Sequence, residues 1–96
     1  MLRHIILFKF KETASPSDRD GLKAMLEALP AQIDVIREFQ VGYDIIRAAR
    51  SYDMGLVSTY DDQDSLAIYA KHPAHLPVVD RAREICESVI AVDFLF

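Results

Sequence analysis

The chain has 96 residues, of which 51% are hydrophobic and 27% charged, with a formal net charge of −4. This length fits one domain, residues 1–96, and the acidic balance argues against a nucleic-acid partner, because phosphate binding requires clustered Lys and Arg. No apolar run approaches the ~18 residues of a membrane span. The single cysteine, Cys86, excludes an internal disulfide and leads us to expect a cytoplasmic protein.

The first elements are a strand and a helix. Alternating side chains over Leu2–Lys11 predict the strand, and the charges within it argue against a signal peptide. The next segment, Ser15–Asp18, has the composition of a helix start, with Ser15 as N-cap and Asp18 completing a capping box. The helix is expected to end at Pro30.

Two strands follow. Val35–Ile45 is rich in β-branched and aromatic residues and predicts the second strand. Gly42 within it suggests a bulge or a close backbone approach. After a polar turn over Arg47–Asp53, Met54–Tyr60 predicts the third strand.

The last third of the chain predicts two helical stretches and a strand. Asp61 or Asp62 can cap the first helix, and Pro73 interrupts it. A further helical stretch is expected over Leu76–Glu84, and Ser88–Phe96 predicts the last strand. The inner side of the first of these helices is expected to carry Leu66 and Tyr69, with Ile68 beside them.

The order of these elements is β-α-β-β-α-β, the ferredoxin-like plan of an α+β domain with a four-stranded antiparallel sheet. Its helices form one layer and cover one face of the sheet. Yet both faces of the first strand are apolar, with Ile6 and Phe8 on one and Ile5 and Leu7 on the other. Monomers rarely leave such a surface in water. We therefore predict a homodimer in which two sheets pack face to face.

Three side chains are candidates for chemistry. His75 follows the break at Pro73, where free backbone N–H groups of the next helix lower an imidazole pKa and favour the neutral form that a general base needs. His4 shares its strand face with core residues and is expected to point beneath the helices. Tyr69, His4 and His75 are therefore expected around one cavity between helices and sheet. The alternative is structural, with His4 and Tyr69 as hydrogen-bonded members of the core.

Two motifs together resemble a known family. These are HIILFKFK at His4–Lys11, and Tyr69 followed by HPAH at His72–His75. They resemble the stress-responsive A/B barrel (Dabb) family, and the likeness runs through the strand containing Gly42 to Val92-Asp93-Phe94. The resemblance implies a dimeric α/β barrel, formed by two ferredoxin-like subunits that pack their sheets together.

The resemblance implies two functions. Many family members have no established activity and are associated with stress responses. This favours a non-catalytic dimeric stress or binding protein, whose cleft holds a small apolar ligand or is a polar patch in the core. The best-understood chemistry is that of a plant polyketide cyclase, an aldol condensation on a β-keto thioester. By that likeness His75 would be the base, and Tyr69 would hydrogen-bond the thioester carbonyl and stabilise the enolate. His4 would assist orientation or carbonyl polarisation, while His72 would hold the turn.

A metal site is a further alternative. His72 and His75, with His4 or Asp80, could supply three ligands. Pro73 spoils the helical geometry of the first pair, and no cysteine lies nearby. We therefore expect neither a metal nor a cofactor. No Gly-rich phosphate loop or nucleophile elbow points to a better-defined enzyme class.

Overall fold

The computed structural model of the protein describes residues 1–96. Its four strands form one antiparallel sheet in the order β2-β3-β1-β4. The strands are β1 (Leu2–Phe10), β2 (Glu38–Tyr43), β3 (Met54–Tyr60) and β4 (Cys86–Leu95). The α-helices are α1 (Pro16–Glu27), α2 (Gln63–Lys71) and α3 (Leu76–Ile85), and Leu29–Ala31 forms a short 3-10 helix. The ferredoxin-like α+β prediction is confirmed.

The start of α1 follows from its local sequence. The Ser15 hydroxyl accepts a hydrogen bond from the Asp18 backbone N–H at 3.0 Å. The Asp18 carboxylate accepts one from the Ser15 N–H, also at 3.0 Å. This reciprocal capping box satisfies two backbone donors that a helix leaves without intrahelical partners. Leu22 and Leu26 then face the core.

The core lies between the helices and one face of the sheet. Leu2, Phe8 and Phe10 of β1 are buried, as their alternation predicts. His4 and Ile6 share this face but are only half-buried, because a cavity lies over them. Side chains that close the core from the other elements include Leu22, Leu26, Met54, Leu56, Tyr60, Tyr69 and Val78.

The opposite face of the sheet has no helix over it. Leu7 is 37% exposed there and Val92 54%. The strand register pairs Val92 with Ile5 and Ile90 with Leu7, so apolar side chains run without a break across β1 and β4. We call this surface the open sheet face. Its apolar members are Ile5, Leu7, Val57, Ile90, Val92 and Phe94.

Two predictions about the second strand are wrong. It spans Glu38–Tyr43 and not Val35–Ile45. Its end is set by the partner strand β3, which begins at Met54 opposite Tyr43, and one further hydrogen bond joins the Asp44 N–H to the Asp53 carbonyl at 2.9 Å. Gly42 pairs with Gly55 in unbroken register, and nothing lies within 4 Å of where its Cβ would be. The bulge of the sheet instead falls between Lys9 and Phe10.

Ile68 was expected beside Leu66 and Tyr69 on the inner side of α2. It is instead 54% exposed, because it lies on the outer side of the helix, one position away from the buried Tyr69. The last strand begins at Cys86, two residues earlier than predicted, because α3 runs into β4 without a loop. None of the helices has the length and apolar character needed to span a membrane.

Candidate functional site

A cavity of about 540 Å³ lies between the sheet, α2 and α3. Its walls are mostly apolar, and His4, Tyr69 and His75 all line it, together with Asp93 and Arg83. Its volume is in the range of small-molecule sites. A second hollow, of about 660 Å³, runs along the edge of β2 but contains no imidazole or thiol. The chemistry-bearing side chains therefore converge on the cavity beneath α2 and α3.

The turn between α2 and α3 holds two imidazoles in different ways. Nδ1 of His72 accepts a hydrogen bond from the Ala74 backbone N–H at 3.0 Å. His72 thus fixes the turn that Pro73 opens. Nδ1 of His75 lies 3.1 Å from the Ala70 carbonyl oxygen, to which it can only donate. In the neutral ring Nε2 of His75 then carries the lone pair and is free to accept a proton.

The environment of His75 favours its neutral form. Burial lowers the pKa of His75 below its ordinary value of 6.5, the hydrogen bond to Ala70 opposes this, and the neighbouring His4 and His72 lower the pKa further. Sequence analysis predicted the same lowering of the pKa from a different cause, the amino end of α3. Burial dominates here because a charged imidazole inside the cavity loses its hydration.

Tyr69 lies against His75. The two ring centroids are 4.3 Å apart and the planes are tilted by 41°. Tyr69 is 2% exposed, and burial raises its pKa to about 12. Its hydroxyl therefore keeps its proton near neutral pH and can donate a hydrogen bond to a group in the cavity.

His4 has a partner that the sequence analysis missed. Its Nδ1 is hydrogen-bonded to the carboxylate of Asp93, which sits opposite His4 in the register of β1 and β4. Such a carboxylate fixes the imidazole tautomer and leaves Nε2 as the accepting nitrogen. A lone acid in the otherwise apolar segment 89–96 was the signal that could have identified Asp93.

Two buried hydroxyls adjoin the cavity. Ser58, which pairs with His4 across β1 and β3, and Tyr60 are both fully buried. Neither hydroxyl has a partner within 3.5 Å, yet the Tyr60 hydroxyl is near enough to those of Ser58 and Tyr69 to affect its pKa. The Tyr60 ring centroid is 5.2 Å from that of Tyr69 and 6.3 Å from that of His4. Burial raises the pKa of Tyr60 far above its usual range. A buried hydroxyl that lacks any partner costs about 1–3 kcal/mol.

The remaining candidates lie apart from this arrangement. No group of three or more His, Cys, Asp or Glu side chains is arranged to hold a metal ion. Asp80, the carboxylate considered as a ligand, is exposed and does not line the cavity. Cys86 is buried, and burial raises its pKa to about 11, so its thiol stays protonated and unreactive.

The fold and cavity define a small ferredoxin-like α+β protein with a His- and Tyr-lined pocket beneath its helices. Residues 2–96 match the Dabb family, described as Stress responsive A/B Barrel Domain, and the chain belongs to this family. An uncharacterized protein of Streptomyces coelicolor is 35% identical over 94 residues, which cover 95% of this chain and 96% of that protein.

Solved structures share the fold along the whole chain. A dimeric ferredoxin-like protein of unknown function from Bacteroides fragilis is 32% identical, with a TM-score of 0.87 over 99% of this chain and 95% of that one. Another dimeric ferredoxin-like protein of unknown function, from Thermobifida fusca, is 29% identical, with a TM-score of 0.90 over 99% and 90%. A hydroxynitrile lyase from Passiflora edulis, 18% identical, has a TM-score of 0.89 over 99% and 92%, a likeness of fold alone.

Proposed function

We propose that the protein is a homodimeric small-molecule enzyme, and that its cavity carries out cofactor-free acid–base chemistry on a carbonyl compound. The observation that supports this most is the contact between Tyr69 and His75 in the wall of a cavity of about 540 Å³. A proton donor and a proton acceptor stand side by side there, both neutral near pH 7 because both are buried.

In the proposed reaction, Nε2 of His75 removes a proton from the carbon next to the carbonyl group. The C–H bonding pair forms the C=C bond of an enolate, and the carbonyl π pair moves onto oxygen. Tyr69 donates a hydrogen bond to that oxygen as it gains charge. If the enolate carbon attacks a second carbonyl, a C–C bond forms and the proton on His75 passes to the new alkoxide. His4, held by Asp93, orients the substrate.

The fold neighbour from Passiflora edulis supports only the use of this fold by an enzyme. It is named a hydroxynitrile lyase. Its low identity carries no residue roles across to this chain.

The second candidate is ligand binding without turnover, as in a stress-associated binding protein. The apolar walls of the cavity favour it, because they suit an apolar ligand whether or not a reaction follows. The two candidates share the same cavity and differ only in what His75 and Tyr69 do there.

We further propose that the dimer forms through the open sheet face. Its apolar side chains are those that water would cover in a monomer, and the Bacteroides and Thermobifida relatives are dimeric. Since the cavity lies on the other side of the sheet, each subunit holds its own site and the partner stabilises the sheet beneath it.

The test is turnover of short β-keto thioesters and keto acids, followed by mass spectrometry. We expect His75→Ala to lower the rate by about 10²–10⁴ and Tyr69→Phe by about 10²–10³. Tyr43→Phe is the matched control, since the Tyr43 hydroxyl bonds Asp20 outside the cavity. An unchanged rate in folded His75→Ala would overturn the proposed base. Ligand binding without turnover by the native protein would favour the binding protein.

A further inference from the structure

We propose that Arg83 is the anion-binding residue of this cavity, so that the ligand has an apolar body with a carboxylate or phosphate at one end. The proposal rests on the function proposed above, because it concerns the same cavity. It adds a ligand class, which the His and Tyr residues alone do not define.

Arg83 is the one Lys or Arg side chain in the cavity wall, and it has no ion-pair partner. It lines the cavity, is exposed to solvent and takes part in none of the ion pairs of the chain. Asp80 lies one turn before Arg83 on α3, and Glu87 is the second residue of β4, yet neither carboxylate comes within 4.0 Å of its guanidinium. Its neighbour Arg81, in contrast, bonds both Asp18 and Glu84 at 3.0 Å.

The other charged groups of the cavity leave Arg83 as the site for an anion. Asp93 is the one acid in the wall, and its carboxylate is bound to His4. His75 is held in its neutral form by burial. An anion in the cavity therefore meets one permanent positive charge, the guanidinium of Arg83, which can bind carboxylate or phosphate oxygens with two parallel hydrogen bonds.

The geometry of α3 orients such a ligand. His75 and Arg83 are eight residues apart, which corresponds to about 12 Å along the helix and to neighbouring positions around it. Val79 lies midway on the same side, and Val89 of β4 also lines the cavity. A ligand with its carbonyl at Tyr69 and His75 would lay an apolar segment over the two valines and bring its anionic group to Arg83.

The proposal is tested with three probes of equal chain length, octanoate, octyl phosphate and octanol, titrated by NMR at about pH 8, where ordinary imidazole is neutral. We expect the two anions to perturb cavity resonances and to bind about tenfold more tightly than octanol, with a preference that weakens as salt rises. Arg83→Gln should abolish this preference, and Arg83→Lys should retain part of it. Arg50→Gln, which removes an exposed cation outside the cavity, is the matched control.

Each outcome bears on the proposal. A preference for octanoate identifies a carboxylic acid as the ligand class, and one for octyl phosphate identifies a phosphate. Equal binding of all three probes to the native protein, unchanged in Arg83→Gln, would overturn the role of Arg83 and leave the proposed cavity function intact. If no probe perturbs the cavity resonances, the anionic ligand class proposed here is overturned, while the proposed function still stands or falls by the turnover of carbonyl compounds.

Discussion

The Tyr69 phenol and the His75 imidazole share one buried contact, with ring centroids 4.3 Å apart. The same loss of hydration acts on them in opposite directions. It raises the pKa of Tyr69 to about 12 and lowers the pKa of His75 below 6.5. Both groups are therefore neutral near pH 7, one as a hydrogen-bond donor and the other as a base. Burial of the two rings therefore keeps Tyr69 as a hydrogen-bond donor and His75 as a proton acceptor at the same pH.

The first prediction concerns the pH dependence of His75. Its NMR titration midpoint should lie below 6.5, because burial depresses the folded-state pKa. With the folded pKa below the unfolded one, the unfolded state binds the proton first as pH falls. The free energy of unfolding should therefore drop as pH falls from about 6.5 towards the lowered folded value. His75→Gln should remove this part of the dependence, and a midpoint at or above 6.5 in the native protein would contradict the burial argument.

The second prediction concerns the bond between His4 and Asp93. Asp93→Asn removes the charge that holds the His4 imidazole, and we expect a loss of about 1 kcal/mol in urea unfolding, limited by the partial exposure of Asp93. The ¹⁵N chemical shifts of His4 should report a changed tautomer. Asp80→Asn, at an exposed acid outside the cavity, is the control and should be neutral. Equal stability of the two variants would mean that the pair contributes nothing.

The third prediction concerns the unpaired hydroxyl of Tyr60. Tyr60→Phe deletes a buried group without a partner while keeping the ring, so stability should stay equal or rise by about 1 kcal/mol. The matched variant is Tyr52→Phe, which breaks a 3.0 Å hydrogen bond to Ser88 and should cost about 1 kcal/mol. Thermal unfolding at one protein concentration compares them. A larger loss for Tyr60→Phe would show that its hydroxyl is paired in solution.

The fourth prediction concerns assembly. Leu7→Glu places a charge in the centre of the open sheet face, where burial of an unpaired carboxylate is costly, so the dimer should dissociate. Ile68→Glu makes the same replacement of an apolar side chain by a carboxylate on the exposed side of α2. It should leave the dimer unchanged. Analytical ultracentrifugation measures both. A folded Leu7→Glu variant that sediments like the native protein would contradict packing through this face.

Much of the fold could be predicted from the sequence because local rules and burial agree along most of the chain. Ser15 and Asp18 define a helix start by their own hydrogen bonds, and the apolar alternation of β1 identifies its buried face. The end of β2 could not be predicted, since it depends on where the partner strand begins. Ile45 satisfies strand propensity yet is 88% exposed beyond the sheet.

Part of the candidate site could also be predicted, because it follows from local patterns in the sequence. Strand parity and the break at Pro73 bring His4, Tyr69 and His75 towards one cavity. The partner of His4 depends on the register between the first and last strands, which no local pattern contains. The unpaired state of Arg83 likewise depends on which acids its neighbours bind.

The central claim is that His75 removes a proton from a carbonyl compound in this cavity. Its most direct test is deuterium incorporation, measured by NMR in heavy water, next to the ketone of a medium-chain keto acid. We predict that the native protein accelerates exchange over buffer, that Tyr43→Phe matches it, and that His75→Ala loses the acceleration. Exchange by the folded native protein at no more than the buffer rate would contradict the claim.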